Sequence, residues 1–252
     1  GGRSDTMPKT RLDLLLVERG LAPSRERARA LILAGQVRVD GQVVTKAGTA
    51  VRDGSEVVLT GRDHPYVGRG GVKLAHALDH FGIDPAGCTA LDIGASTGGF
   101  TDVLLQRGAK HVVALDVGHG QLAWQLRQDP RVLVLEGVNA RHLTPDQAPG
   151  PFDIVTIDVS FISLRQILPV VPARLAPGGH VVALVKPQFE AGREDVERGG
   201  LVRDPAVHAR VLEEVSAAAR AVGLEPMGST PSPITGATGN QEYLLHLRSS
   251  QA

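Results

Sequence analysis

An apolar run from Cys88 to Ile93 carries an acid at Asp92 and breaks into the turn Gly94-Ala-Ser-Thr-Gly-Gly99. An amphipathic run then follows from Phe100 to Gln106. This succession predicts a strand, a tight loop and a helix, and no other stretch constrains the fold as much. Gly94 and Gly98 allow backbone torsions and close ligand approach that a Cβ forbids. A second apolar strand, His111 to Leu115, ends in Asp116, an acid about 20 residues past the loop where it could bind ribose hydroxyls. Units of this kind hold nucleoside-bearing cofactors in α/β proteins.

The glycine spacing separates two cofactor classes. A dinucleotide loop reads G-x-G-x-x-G, but Ser96 stands where the middle glycine would be. Close approach of a pyrophosphate is therefore disfavoured, and an NAD-dependent oxidoreductase with it. The pattern D-x-G-x-x-x-G instead resembles the S-adenosyl-L-methionine loop of Rossmann-like methyltransferases. That resemblance implies cofactor contacts from Asp92, Gly94, Ala95, Ser96, Gly98, Gly99, Phe100, Asp116, Asn139 and Asp158.

At 252 residues the chain is long enough for one large domain and a small one. With 42% hydrophobic residues it reads as globular. The single cysteine, Cys88, excludes an internal disulfide framework and a cysteine-based metal site, and fits a reducing cytosol. The nine histidines lack ligand spacing, so no metal is expected. No apolar segment approaches the roughly 20 residues that span a bilayer, and no signal-peptide core is present, so no membrane association is expected. Gly1 to Thr6 reads as a vector-derived extension before a native start at Met7.

A net charge of zero hides an asymmetry. The first sixty residues hold ten Lys or Arg against seven acids, so they carry +3 and the remainder −3. A basic lobe on a mildly acidic body leans toward a polyanionic partner. Within the lobe, Leu12, Leu15 and Leu16 predict a short helix ended by Gly20. Ser24 reads as the N-cap of a second helix with Ala28, Leu31 and Ile32 on its buried face and Gly35 as its stop. Val37–Val39, Asp40-Gly41 and Gln42–Val44 form a hairpin signal with a type I′ turn, and Ser55 to Leu59 supplies another strand. Arg25 and Arg29 fall on one helical face and Arg27 well round from them.

Read alone, that cluster is equally an ordinary solvated face. The whole span nevertheless resembles the S4-type RNA-binding domain, in R-L-D-x-L-L-V-E-R-G-L-A-x-S-R-x-x-A and then G-x-V-x-V-D-G. The resemblance implies a small α+β RNA-binding domain over 9–60, with Arg11, Arg25, Arg27, Arg29, Arg38 and Lys46 toward folded RNA. Residues 61–69, rich in glycine, proline and charge, read as a linker to a body over 70–248.

The body alternates. A helix is expected over Gly71–Phe81, then a strand at Val112–Asp116, a helix at Gln121–Gln128, and strands at Val132–Glu136 and Phe152–Asp158. A helix at Leu164–Leu175, a strand at His180–Lys186, a helix at Pro205–Val222 and two late strands near Met227 and Glu242–Leu247 follow. Alternation of this kind predicts the α/β class, with a mostly parallel, doubly wound sheet.

Ligands bind beyond the carboxyl ends of such strands. One strand ends in Asp158. Another ends in Lys186, an unusual place for a charge that burial must compensate. Glu242 opens the last strand and Lys73 lies beside the apolar stripe of the first body helix. Singly, each has a bland explanation: a snorkelling lysine, an edge charge, a loop cap. Together they resemble the K-D-K-E tetrad of FtsJ-like ribose 2′-O-methyltransferases. Gly70-Gly-Val-Lys-Leu, Asp158-Val-Ser-Phe-Ile-Ser, Lys186-Pro-Gln-Phe-Glu and the stretch from Ser232 to Glu242 resemble the hemolysin-A/TlyA branch, which joins an S4-type domain to an FtsJ-like domain.

The resemblance implies a Rossmann-like, seven-stranded S-adenosyl-L-methionine-dependent enzyme that methylates a cytidine ribose of ribosomal RNA, within ribosomal subunits, as a cytoplasmic monomer. The resemblance implies the large subunit or both subunits, and the position of Ala252 soon after the last strand resembles the branch members that act on the large subunit alone. Lys186 is assigned as the base, Lys73 and Asp158 as substrate and methyl positioners, and Glu242 as organiser. Desolvation and the neighbouring Lys73 cation would favour a neutral Lys186, and the carboxylates oppose this. Two other readings stay open on the residues: an S4-type RNA-binding or ribosome-assembly factor with an inert body, and a pore-former. The last is disfavoured by the 3% aromatic content and the lack of a spanning segment.

Overall fold

A computed structural model describes residues 8–60 and 64–250. The extension with Met7 and the first three residues of the expected linker, 61–63, lie outside the described residues.

The lobe runs β1 (Lys9–Arg11), α1 (Leu12–Glu18), α2 (Arg25–Leu33), β2 (Val37–Val39), β3 (Gln42–Val43), β4 (Ala50–Arg52) and β5 (Val57–Leu59). Leu12, Leu15, Leu16, Ala28, Leu31 and Ile32 face inward at helical spacing and form its core with Val37, Val51 and Val57. Ser24 Oγ accepts from the Arg27 amide at 3.1 Å, the expected N-cap. Asp40 and Gly41 both take positive φ, as a type I′ turn requires. The β1–β4 pair was not expected, because three mixed residues carry no periodic signal.

The body contains α3 (Gly70–Phe81), β6 (Thr89–Ile93), α4 (Gly99–Gln106), β7 (His111–Leu115), α5 (Trp124–Arg127), β8 (Val132–Leu135) and β9 (Phe152–Ile157). It continues with β10 (Leu175–Val185), α6 (Pro187–Glu190), α7 (Pro205–Ala221), β11 (Leu224–Pro231) and β12 (Tyr243–Ser249). The seven strands form one sheet in the order β11-β12-β10-β9-β6-β7-β8, with β12 antiparallel to both neighbours and the remaining pairs parallel. One apolar cluster covers the face under α3 and α4, and another the face under α7.

The helix expected over Leu164–Leu175 is instead three 3₁₀ turns, Leu164–Gln166, Leu168–Val170 and Pro172–Arg174. Pro169 and Pro172 withhold the amide hydrogens an α-helix needs there. The helix expected over Gln121–Gln128 contracts to a single turn for which Ala123 is the N-cap. After β8 the chain returns to the far side of β6, so β6 and β9 flank the switch point where the strand order reverses.

Lobe and body share an interface. Arg19, buried, donates through one nitrogen to the carbonyls of Ser55 and Ala237, each at 2.6 Å. Arg69 joins the Arg19 carbonyl (3.0 Å) to the Thr235 carbonyl (2.7 Å), and Arg203 pairs with Asp53 at 2.6 Å. Gly20 is required here: a Cβ would lie 1.6 Å from the Ile234 side chain. The lobe therefore rests on the segment that leads into Glu242.

Away from this interface, the His246 ring on β12 stacks on His180 and meets the Phe81 ring at a tilt, its Nε2 lying 2.9 Å from His180 Nδ1. Burial first, then His180 and Arg248, lowers the His246 pKa to about 4. A folded-state pKa below the unfolded value means that stability is full above pH 6.5 and is lost as pH falls toward 4, by roughly 2 kcal/mol between pH 7.5 and 5. Urea unfolding at pH 7.5 and 5 checks this: His246→Gln should lose less stability than the native protein over that interval. An equal loss would remove His246 as the source.

Candidate active site

The four tetrad residues form two ion pairs. Lys73, on α3, donates to Glu242 Oε1 at 2.6 Å, both side chains buried. Lys186, just past β10, lies 2.6 Å from Asp158 Oδ1 and donates to Ser160 Oγ at 3.0 Å. The second pair faces outward, Asp158 being 26% exposed against 3% for Glu242. Two contacts bring the pairs to one place. Gln188, two residues beyond Lys186, donates to Glu242 Oε2 at 3.0 Å. Gly70, three residues before Lys73, would carry a Cβ only 3.9 Å from Asp158 Oδ2.

A cleft of about 560 Å³ opens beside Asp158. Gly94, Ser96, Asp116, Asn139 and Asp158 line it. Asp116 accepts from the Ser96 amide at 2.7 Å and from the Gly118 amide at 2.8 Å, and so holds Ser96 in its positive-φ turn. Asn139 caps the short turn that begins at Ala140 by accepting from the Arg141 amide. A side chain at Gly94 would force the Asp158 backbone to shift: the Gly94 φ is +83° and a Cβ would lie 2.0 Å from the Asp158 carbonyl oxygen.

The other residues expected at the cofactor lie behind the cleft. Asp92 is fully buried and accepts from the hydroxyls of Thr101 (2.8 Å) and Thr156 (3.1 Å). Burial pushes its carboxyl up to about 7, the two hydroxyls opposing. Gly98 makes room for Leu126 and Leu122, and Gly99 lets the loop approach the Gly71 amide. Ala95 and Phe100 belong to the core under α3 and α4. These five residues support the loop from below and do not wall the cleft.

Comparison with known proteins decides the family. The FtsJ-like methyltransferase sequence model matches residues 66–249, and the S4 domain model matches residues 10–57. The chain belongs to the FtsJ-like methyltransferase family. TlyA of Mycobacterium tuberculosis, named a 16S/23S rRNA (cytidine-2′-O)-methyltransferase, is 51% identical over 95% of this chain and 90% of its own. Hemolysin A of Brachyspira hyodysenteriae is 42% identical over 94% and 98%. A solved structure from Streptococcus thermophilus superposes with a TM-score of 0.76 at 48% identity, covering 97% of this chain and 90% of that one. No helix among the described residues is long and apolar enough to cross a membrane.

In this methyltransferase the residues expected to face RNA divide by position. Arg11, Arg25 and Arg29 gather around Asp13. Arg27, Arg38 and Lys46 are exposed on the lobe. Sequence reasoning does not single out Ser160 or Gln188, although both lie within the motifs Asp158-Val-Ser and Lys186-Pro-Gln. The i, i+2 offset from a tetrad residue was the available signal.

Proposed function

We propose that the protein transfers a methyl group from S-adenosyl-L-methionine to the ribose 2′-hydroxyl of a cytidine in ribosomal RNA. The observation that carries this reading is Lys186, held against Asp158 and Ser160, which line the cleft, together with the buried Lys73–Glu242 pair. The cleft fits the cofactor. Its lining supports this reading: Asp116 as an acceptor for ribose hydroxyls, and Asp116 with Asp158 for a ligand that carries cationic sulfonium and ammonium groups. When bound, the cofactor supplies an electrophilic methyl group.

The residues supply the rest. Lys186 is ion-paired with Asp158 and donates one hydrogen bond to Ser160, and the two contacts aim its ammonium nitrogen. Once neutral, it takes the 2′-hydroxyl proton as the oxygen is alkylated. Glu242, fixed by Gln188, holds Lys73 in place. The span 9–60 delivers RNA, 61–69 joins, and 70–248 carries the chemistry, in a cytoplasmic monomer acting on ribosomal subunits. The more similar relative is named for both 16S and 23S rRNA, so both subunits are substrates to test.

Ribosomal subunits from cells that lack the protein, incubated with it and methyl-labelled cofactor, should gain 2′-O-methyl cytidine. Label on a base, or none while cofactor and RNA both bind, would remove this reading. Titration calorimetry should show micromolar cofactor binding, which an RNA-binding factor with an inert body would lack. Gly94→Ala should weaken that binding roughly tenfold or more, since the left-handed torsion alone costs ~1–2 kcal/mol. Native affinity in this variant would show that the loop adapts without disturbing Asp158.

A further inference from the structure

Arg11, Arg25 and Arg29 are not independent surface charges. They converge on Asp13, in the first turn of α1, whose side chain is 0% exposed. Its Oδ2 accepts from a terminal nitrogen of Arg11 (3.1 Å) and from Nε of Arg25 (3.2 Å) and of Arg29 (3.3 Å). Its Oδ1 accepts from Arg11 Nε (3.1 Å) and the Leu14 amide (2.9 Å). The arginines stay about half exposed, at 48%, 46% and 54%.

The parts come from three elements. Arg11 closes β1, Asp13 lies in the first turn of α1, and Arg25 and Arg29 stand one turn apart on α2. Leu12 and Leu16 on α1 and Ala28 and Ile32 on α2, all fully buried, fix those helices against each other. The Arg11 hydrogen bonds above all hold the Asp13 carboxyl well below the usual carboxylate range, against the effect of burial, with Arg25, the Leu14 amide and Arg29 adding to it. Three cations around one carboxylate leave an excess of two positive charges, half exposed and held in fixed geometry.

An acid in a first helical turn has an ordinary use, to satisfy the helix end. That use requires the Leu14 contact and none of the arginines. We propose that Asp13 is a positioning residue for RNA binding, its buried carboxylate setting Arg11, Arg25 and Arg29 as one preformed clamp for adjacent backbone phosphates of folded RNA. The proposal rests on the ribosomal RNA reading above. Arginine side chains lose substantial rotamer freedom when they bind, and a clamp formed beforehand has already lost it. Planar guanidinium forks also match phosphate oxygens in a way a point charge does not.

Asp13→Asn separates the clamp from simple charge. The substitution makes the lobe more positive by one, so charge attraction alone predicts tighter binding of any polyanion. The clamp predicts the opposite for purified ribosomal subunits at fixed salt: a fall of roughly tenfold to a hundredfold, the cost of ordering two or three released arginines. Heparin, a flexible polyanion without RNA geometry, should bind unchanged or tighter. Asp13→Asn binding subunits as well as or better than the native protein overturns the proposal.

Should that variant unfold, Arg25→Lys/Arg29→Lys decides alone. It keeps every charge and Asp13, so charge predicts native affinity, whereas loss of both forks should weaken subunit binding about tenfold. Native affinity in the lysine variant overturns the clamp. If the native protein itself does not bind subunits, the ribosomal RNA reading falls and takes the clamp with it. Native binding with unaltered variants removes the clamp alone.

Discussion

Lys186→Ala should retain cofactor and RNA binding yet lower single-turnover methyl transfer by ~100- to 10,000-fold, the usual worth of a positioned base. Lys186 directly follows β10 and its side chain contacts Asp158, Ser160 and the Phe189 ring, so its removal leaves the apolar clusters untouched. Lys186→Arg is the sharper variant. A guanidinium keeps the positive charge and the pairing with Asp158, but stays protonated at any working pH and so cannot take the 2′-hydroxyl proton. It should be about as inactive as the alanine variant. Near-native turnover with arginine would make Lys186 an electrostatic clamp and send the search for the base elsewhere.

The second large effect concerns stability. Glu242→Gln keeps an acceptor for Gln188 but leaves the buried Lys73 charge without a counter-ion. Breaking one side of a buried pair in this way costs ~3–5 kcal/mol. Lys73→Met/Glu242→Gln removes the stranded charge and should recover most of that loss, while methyl transfer stays abolished in both variants. Denaturant unfolding of the two proteins beside the native one measures this. A single variant as stable as the native protein, or a double variant no better than the single, would show that the pair is not the buried unit described here. Recovery of stability without recovery of activity would separate the structural role of the pair from its catalytic one.

Much of the architecture was legible in the chain because it rests on local periodicity and turn chemistry. The N-cap at Ser24, the Asp40-Gly41 turn and the β6–loop–α4 unit depend on neighbours a few residues away. The breaks in the helix expected over Leu164–Leu175 are legible too, since Pro169 and Pro172 stand in plain view. Asp92 was not. A carboxylate at the end of an apolar strand reads alike whether it meets a ligand or two buried hydroxyls, and only the packing of Thr101 and Thr156 distinguishes them.

The sequence by itself determined which residue types are present, in what order, and on which kinds of element: two lysines, two carboxylates, a glycine-rich turn and a basic helix face. Only the tertiary structure decided who partners whom. Lys73 and Glu242 are 169 residues apart and meet at 2.6 Å, Gln188 ties that pair to the Lys186 turn, and Asp13 gathers three arginines. The reason is physical. Periodicity reports local backbone geometry, whereas the strength of a charge pair depends on through-space distance and on the water excluded around it. Both are set when the sheet brings distant strand ends together.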